Sequence, residues 1–155
     1  IDPNPGLKLK YSLFRSLDLF INSAIVLKKK RGNNLFYYYK NNTDLNTFSK
    51  KRVAIQHKLY GRYPTKKIKI DQLTIEDLVK LIANKELHFL NIDIEGADLE
   101  ALVSLNFKIY RPTVICIEII EKDLLDSKIY KYLENLNYKK IWTSKSNFNH
   151  IFIEK

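Results

Sequence analysis

The chain has 155 residues, a formal net charge of +10 and 45% apolar side chains, a composition suited to one globular domain and not to a disordered tail. A single cysteine, Cys116, excludes an intrachain disulfide and a cysteine-rich zinc site, and is expected in a reducing compartment. No apolar run nears the roughly 18 residues of a membrane span and the first residues lack the layout of a signal peptide, so a soluble, cytoplasmic protein is expected.

The chain contains no Met and opens on Ile1-Asp2-Pro3-Asn4-Pro5, which reads as a fragment beginning in mid-architecture. Its heavy use of Lys, Ile, Asn and Tyr resembles AT-rich coding more than a selected chemistry. The basic clusters at residues 28–31, 50–52 and 66–67 lie beside expected turns, where solvated loops place their charges, so no specific nucleic-acid partner is expected.

Ile1-Asp2 reads as the end of a strand, and Pro5 opens a helix whose Leu9, Leu13, Phe14 and Leu17 are spaced for a buried face. Residues 19–26 read as a short strand, answered across a turn at residues 30–34 by a hairpin partner at residues 35–39. Residues 41–65 are the least legible stretch. They are expected to be an insertion or lid, with at most one short strand near Val53-Ala54-Ile55.

Residues 67–71 alternate as an exposed strand does, and Thr74-Ile75-Glu76-Asp77 has the form of a capping box opening a helix with Leu78, Leu81 and Ile82 on one face. Residues 89–94 form a strand ending in acid, Gly96 permits a sharp turn, and Leu99, Leu102, Val103 and Leu105 line the next helix. Residues 113–120 are almost continuously apolar, the pattern of a central strand covered on both faces. Asp126 is expected to cap a helix with Ile129, Tyr132, Leu133 and Leu136 inside, and residues 138–142 and 151–153 close the chain as two strands. Alternation of strand and helix makes the class α/β, with a mostly parallel sheet, helices on both faces and one domain over residues 1–155.

In such sheets ligands bind beyond the carboxyl ends of the strands, so the acids and amides found there are the candidates. Asp2, at a strand end stiffened by prolines, can accept both hydroxyls of a ribose or merely cap the next helix. Asn22, Ser23 and Ala24 leave room for a flat ring. Asp93 and Glu95 share a side of their strand by its period of two, and two converging carboxylates require water, a cation or a substrate hydroxyl to stabilise them. Glu118 is an acid in a buried run and belongs at its exposed end or beside a cation. His57, His88 and His150 have no metal-ligand spacing, and no metal is expected. No glycine-rich phosphate loop, nucleophile elbow or zinc helix motif is present.

The run Asn91-Ile92-Asp93-Ile94-Glu95-Gly96-Ala97-Asp98-Leu99-Glu100-Ala101-Leu102 closely resembles the signature of the FkbM-type methyltransferases, a strand running into Asp-x-Glu-Gly-Ala-(Glu/Asp)-x-x-x-Leu. Asp2-Pro3-Asn4-Pro5, Asn22-Ser23-Ala24-Ile25, residues 70–78 and Arg111-Pro112-Thr113-Val114-Ile115-Cys116-Ile117-Glu118 resemble further segments of that family, in its order. The resemblance implies a class I methyltransferase that uses S-adenosylmethionine on the oxygen of a sugar or small-molecule acceptor. The implied fold is a Rossmann-like sheet with an antiparallel C-terminal hairpin, here without the family's first strand and glycine loop. By position, Asp2 and Asn4 with Asn22, Ser23 and Ala24 would hold the cofactor, and Asp93, Glu95 and Glu118 would face methyl transfer. The rival expectation is a non-catalytic basic module for an acidic glycan or nucleic acid. A fragment lacking an inner strand is also expected to associate through its uncovered sheet edge.

Overall fold

Acidic residues are sparse before Thr74 and frequent after it, and the fold divides at the same place. The computed structural model describes residues 1–27, 35–41, 45–81, 86–94, 97–121 and 123–155. One unit comprises Ile1–Ala24 and Lys29–Leu73, the other Ile25–Lys28 and Thr74–Lys155.

The first unit contains α1 (Leu7–Phe14), the start of β1 (Ser23–Ile25), β2 (Leu35–Tyr38), α2 (Lys50–Tyr60), β3 (Lys66–Lys69) and β4 (Asp71–Leu73). The expected hairpin between β1 and β2 does not form: β1 pairs with β4, and β2 pairs antiparallel with β3. Pairing follows the apolar side chains. Phe36 lies opposite Ile68 and is buried with Ala24 and Ile70, whereas Leu19, in the run expected to begin β1, is exposed. The turn at residues 30–34 lies outside the described residues.

The strand expected near Val53 is instead part of an eleven-residue helix. Ser49 Oγ accepts the Arg52 N–H at 3.2 Å at its start, and Gly61, at φ 62°, ends it in the left-handed conformation that glycine adopts without a Cβ clash. Helix α1 begins near the expected place, but its expected buried face is bare. Leu9 and Leu13 are each 67% exposed, Phe14 is 83% exposed, and Leu17 beyond the helix is fully exposed.

The second unit contains α3 (Ile75–Leu81), β5 (Phe89–Ile92), α4 (Asp98–Val103), β6 (Val114–Glu118), a 3-10 turn (Leu124–Asp126), α5 (Lys128–Asn135), β7 (Tyr138–Thr143) and β8 (Asn149–Glu154). The capping box forms as read: Thr74 Oγ1 accepts the Asp77 N–H at 3.0 Å, and Asp77 Oδ2 accepts the Thr74 N–H at 3.0 Å. Helix α3 buries Ile75 and Val79; Leu81 is exposed and Ile82 lies outside the described residues. Helix α5 is capped by Ser127, whose Oγ accepts the Ile129 and Tyr130 N–H groups, and not by Asp126, which closes the preceding 3-10 turn.

The sheet order is β5-β6-β8-β7. Strands β5 and β6 are parallel, while β8 is antiparallel to both β6 and β7, so the C-terminal hairpin forms as expected. The expectation of a mostly parallel sheet covered on both faces does not hold among the described residues. The parallel pair is bordered by antiparallel ladders, and the sheet does not continue into the short strands of the first unit. Ile92, Ile115, Ile117 and Phe152 pack with Ile75, Val79, Ala101, Leu102, Ile129 and Leu133 in one core. On the other face Val114 and Cys116 are only partly buried, because α3, α4 and α5 all contribute their buried residues to that same core.

Two tyrosines and a histidine make this packing testable. Tyr138 donates to the Pro112 carbonyl at 2.7 Å, and burial pushes its pKa up to about 12; Tyr138→Phe is expected to cost about 1–2 kcal/mol in urea unfolding. Tyr39 is buried with no hydroxyl partner among the described residues, so Tyr39→Phe is expected to be neutral or stabilising. His150 is buried, in contact through Nδ1 with Thr143 Oγ1 at 3.1 Å; burial first, and the Lys140 charge second, hold its pKa below the usual value. An unfolded histidine binds a proton near pH 6.5 that the folded one resists. Stability from this group is therefore complete above that pH and falls as pH drops below it, and His150→Gln is expected to flatten this slope between pH 7 and 5.5.

Candidate functional site

The parallel pairing of β5 with β6 brings two carboxyl-terminal strand ends together. Asn91 lies beside Cys116 and Ile92 beside Ile117, where the ladder ends; Asp93 follows directly on β5 and Glu118 is the last residue of β6, so both carboxylates stand at this end of the sheet. Ile92 and Ile117 point into the core, and the residue that follows each, Asp93 or Glu118, lies at the carboxyl-terminal end of its strand. Glu95 and Gly96 lie outside the described residues, and the expected pairing of Asp93 with Glu95 lies there with them.

The carboxylate that the fold adds is Asp98. It is 4% exposed in the first turn of α4, and its Oδ1 accepts the Ile94 N–H at 3.0 Å, closing the loop between β5 and the helix. Its signal in the sequence was an acid two residues after a glycine turn and at a helix start, where the dipole favours negative charge. A cleft of about 130 Å³ opens beside it, lined by Asp98, Leu99, Glu118, Ile120, Glu121, Lys128 and Ile129. Asp93 is not among these lining residues and is exposed on the strand end.

Protein atoms around Asp93 withdraw enough water to raise its carboxyl pKa above the usual range, and the Asp98 charge raises it further. Burial likewise raises the Cys116 thiol, with Asp93 as the second cause. Asp93 thus communicates electrostatically with α4 through Asp98 and with β6 through Cys116.

In the first unit, Asp2, Asn4 and Asn22 are joined by hydrogen bonds. Asp2 Oδ1 accepts the Asn4 N–H at 2.7 Å, Asn4 Oδ1 accepts the Gly6 N–H at 2.9 Å, and the Asn22 side-chain amide donates to the Asp2 carbonyl at 2.9 Å. A further backbone bond joins Asp2 N–H to Ile21. Asn4, Ser23 and Ala24 are buried, while Asp2 and Asn22 are partly exposed. Two successive side-chain turns therefore rigidify the segment before α1. Gly6 packs closely there: a Cβ would approach Asn4 Oδ1 to 3.1 Å and the Tyr38 hydroxyl to 3.2 Å, so a larger residue requires those side chains to shift. Among the described residues no group of His, Cys, Asp and Glu could hold a metal ion.

Asp93→Asn removes a carboxylate that is unfavourable to ionise in the fold. The raised pKa means that the folded state holds its proton more firmly than the unfolded one, so this group costs stability as pH rises through and above the carboxylate range. The variant is expected to melt no lower than the parent at pH 7.5. It should also move the pH profile of Cys116 alkylation by iodoacetamide to lower pH; an unmoved profile would separate the two groups.

Comparison with curated proteins and with solved structures gave no match. The family model described as the methyltransferase FkbM domain, however, matches residues 1–140, nearly the whole chain and both of its units. On that match, the chain belongs to the FkbM methyltransferase family.

Proposed function

We propose that this protein is an S-adenosylmethionine-dependent methyltransferase acting on a hydroxyl oxygen of a sugar or small molecule, in the cytoplasm, with residues 1–155 forming part of one catalytic domain. The observation that carries this reading is the family match over residues 1–140; the parallel pairing of β5 with β6, which brings the strand ends that carry Asp93 and Glu118 to one end of the sheet, supports it. The lone Cys116 fits a reducing compartment, and no helix among the described residues is long and apolar enough to cross a membrane.

The cofactor supplies an activated methyl group on a sulfonium. Asp2 fits its ribose, because one carboxylate can accept two hydroxyl protons and the turns of Asn4 and Asn22 hold it at a fixed angle. Asn4, Ser23 and Ala24, being buried, serve in this reading as the frame behind that carboxylate. The Asn22 amide donates one N–H to the Asp2 carbonyl, which fixes its orientation and leaves its second N–H and its Oδ1 for an adenine edge.

On the acceptor side, a carboxylate oxygen of Asp93 takes the proton of the acceptor hydroxyl as the oxygen becomes methylated. Its raised pKa brings it nearer to working pH and makes it a better base than an ordinary aspartate. Glu118, at the cleft, hydrogen-bonds a neighbouring hydroxyl and orients the acceptor, and Glu95 belongs to the same signature run. Alignment of oxygen and methyl supplies much of the acceleration, since the donor is already reactive.

The test follows label from methyl-tritiated S-adenosylmethionine into a panel of sugars and hydroxylated metabolites, using protein expressed from the complete reading frame. Asp93→Asn is expected to lower turnover by roughly 10²-fold, within the range of a lost general base, and Glu118→Gln to raise the acceptor KM. Methylation of nitrogen alone, or undiminished turnover in both variants, would remove this reading.

A further inference from the structure

The basic excess of this protein is confined to one of its units: Ile1–Ala24 and Lys29–Leu73 hold 15 of the 27 Lys and Arg but only 4 of the 17 Asp and Glu. Within that unit, α2 is an eleven-residue helix whose first turn is Lys50-Lys51-Arg52, with no acid to offset them. Cations at a helix N-terminus oppose the positive end of the dipole, so this arrangement costs stability in isolation and becomes favourable against a negative surface.

Apolar side chains are exposed among these charges. Ile55 is 45% and Leu59 62% exposed, and at a spacing of four they form one stripe. Helical geometry places Arg52 along one side of that stripe and Lys51 and Lys58 along the other. Tyr60 and Tyr63, exposed at the end of α2 and just beyond Gly61, lie beside Arg62. Gln56, buried and donating to the Leu45 carbonyl, and the partly buried Val53 hold the other side of the helix to the unit. The adjoining strand β3 adds exposed Lys66, Lys67 and Lys69. Helix α1 repeats the pattern independently, with exposed Leu9 and Leu13 beside Lys8 and Lys10.

We infer that the α2 face is a docking surface for an anionic phospholipid bilayer, on which the protein lies without spanning it. Lipid headgroups match the lysines and arginines, and the interfacial acyl region matches Ile55 and Leu59, with tyrosines at headgroup depth. Nucleic acid would satisfy the same charges and stack on the tyrosines, but it offers the aliphatic stripe nothing comparable to an acyl layer. The bare stripe is what selects the bilayer.

The experiment is vesicle co-sedimentation of the whole protein at 150 mM salt, with phosphatidylcholine vesicles and with vesicles holding 30% phosphatidylserine. Partitioning is expected to be at least tenfold stronger on the anionic vesicles. The double variant Ile55→Ser/Leu59→Ser, with unchanged charge, should lower it several-fold, and Lys51→Gln/Lys58→Gln on the order of tenfold, as expected for two juxtamembrane cations. All these side chains are exposed, and far-ultraviolet circular dichroism confirms that each variant keeps its helices. Equal partitioning on the two vesicles overturns the proposal. So does an undiminished Ile55/Leu59 variant, or binding to a 20-nucleotide DNA that exceeds binding to anionic vesicles at the same salt and is indifferent to those two residues.

Discussion

Strand β6 must satisfy hydrogen-bonding partners of opposite direction on its two edges, parallel β5 on one and antiparallel β8 on the other. Its alternation decides how. Ile115 and Ile117 are fully buried and fix the strand against α3, α4 and α5, and a slip of one residue would turn both to the opposite face. Once those two isoleucines are fixed, Cys116 must face away from the core, and Ile92 on β5 must lie beside Ile117. That Asp93 and Glu118 stand at the same end of the sheet is thus a consequence of hydrophobic register. The neighbouring chemistry is inherited from packing.

Carboxylates in this protein perform two different tasks, and the hydrogen bonds separate them. Asp2, Asp77, Asp98 and Asp123 each accept a backbone N–H within four residues in sequence, closing a turn or a helix start. For Asp93, desolvation first and the neighbouring Asp98 charge second oppose ionisation, and no hydrogen-bond donor to it is seen among the described residues. A carboxylate held in this way is an inefficient structural element, which is why it is the more informative member of the pair at the end of β5 and β6. Asp98 links the two tasks, since the residue that closes the loop also supplies the charge that tunes Asp93.

The distribution of charge adds a second theme. Basic residues are spread over both units, 15 of the 27 in the first and 12 in the second, but 13 of the 17 acids lie in the second, which leaves the second unit nearly balanced and the first strongly basic. The sequence reading placed Lys50, Lys51 and Arg52 in a solvated loop. They stand in the first turn of a helix because Ser49 and Gly61 supply its two ends, and those capping residues were visible in a stretch otherwise without periodicity.

What the sequence determined by itself was local: the capping box at Thr74 and Asp77, the buried strand around Ile115 and Ile117, the C-terminal hairpin, and the signature run from Asp93 to Leu102 that carries the family. Each depends on short-range spacing or on a burial pattern that adjacent residues alone define. Tertiary structure decided which strands pair, because β1 and β2 find their partners some thirty to fifty residues away and not in each other. It also decided that Leu9, Leu13 and Phe14 remain bare, that Ser127 and not Asp126 caps α5, and that Asp98 lies between the loop and the cleft. Spacing states which residues share a face; only the packed chain states what, if anything, covers it.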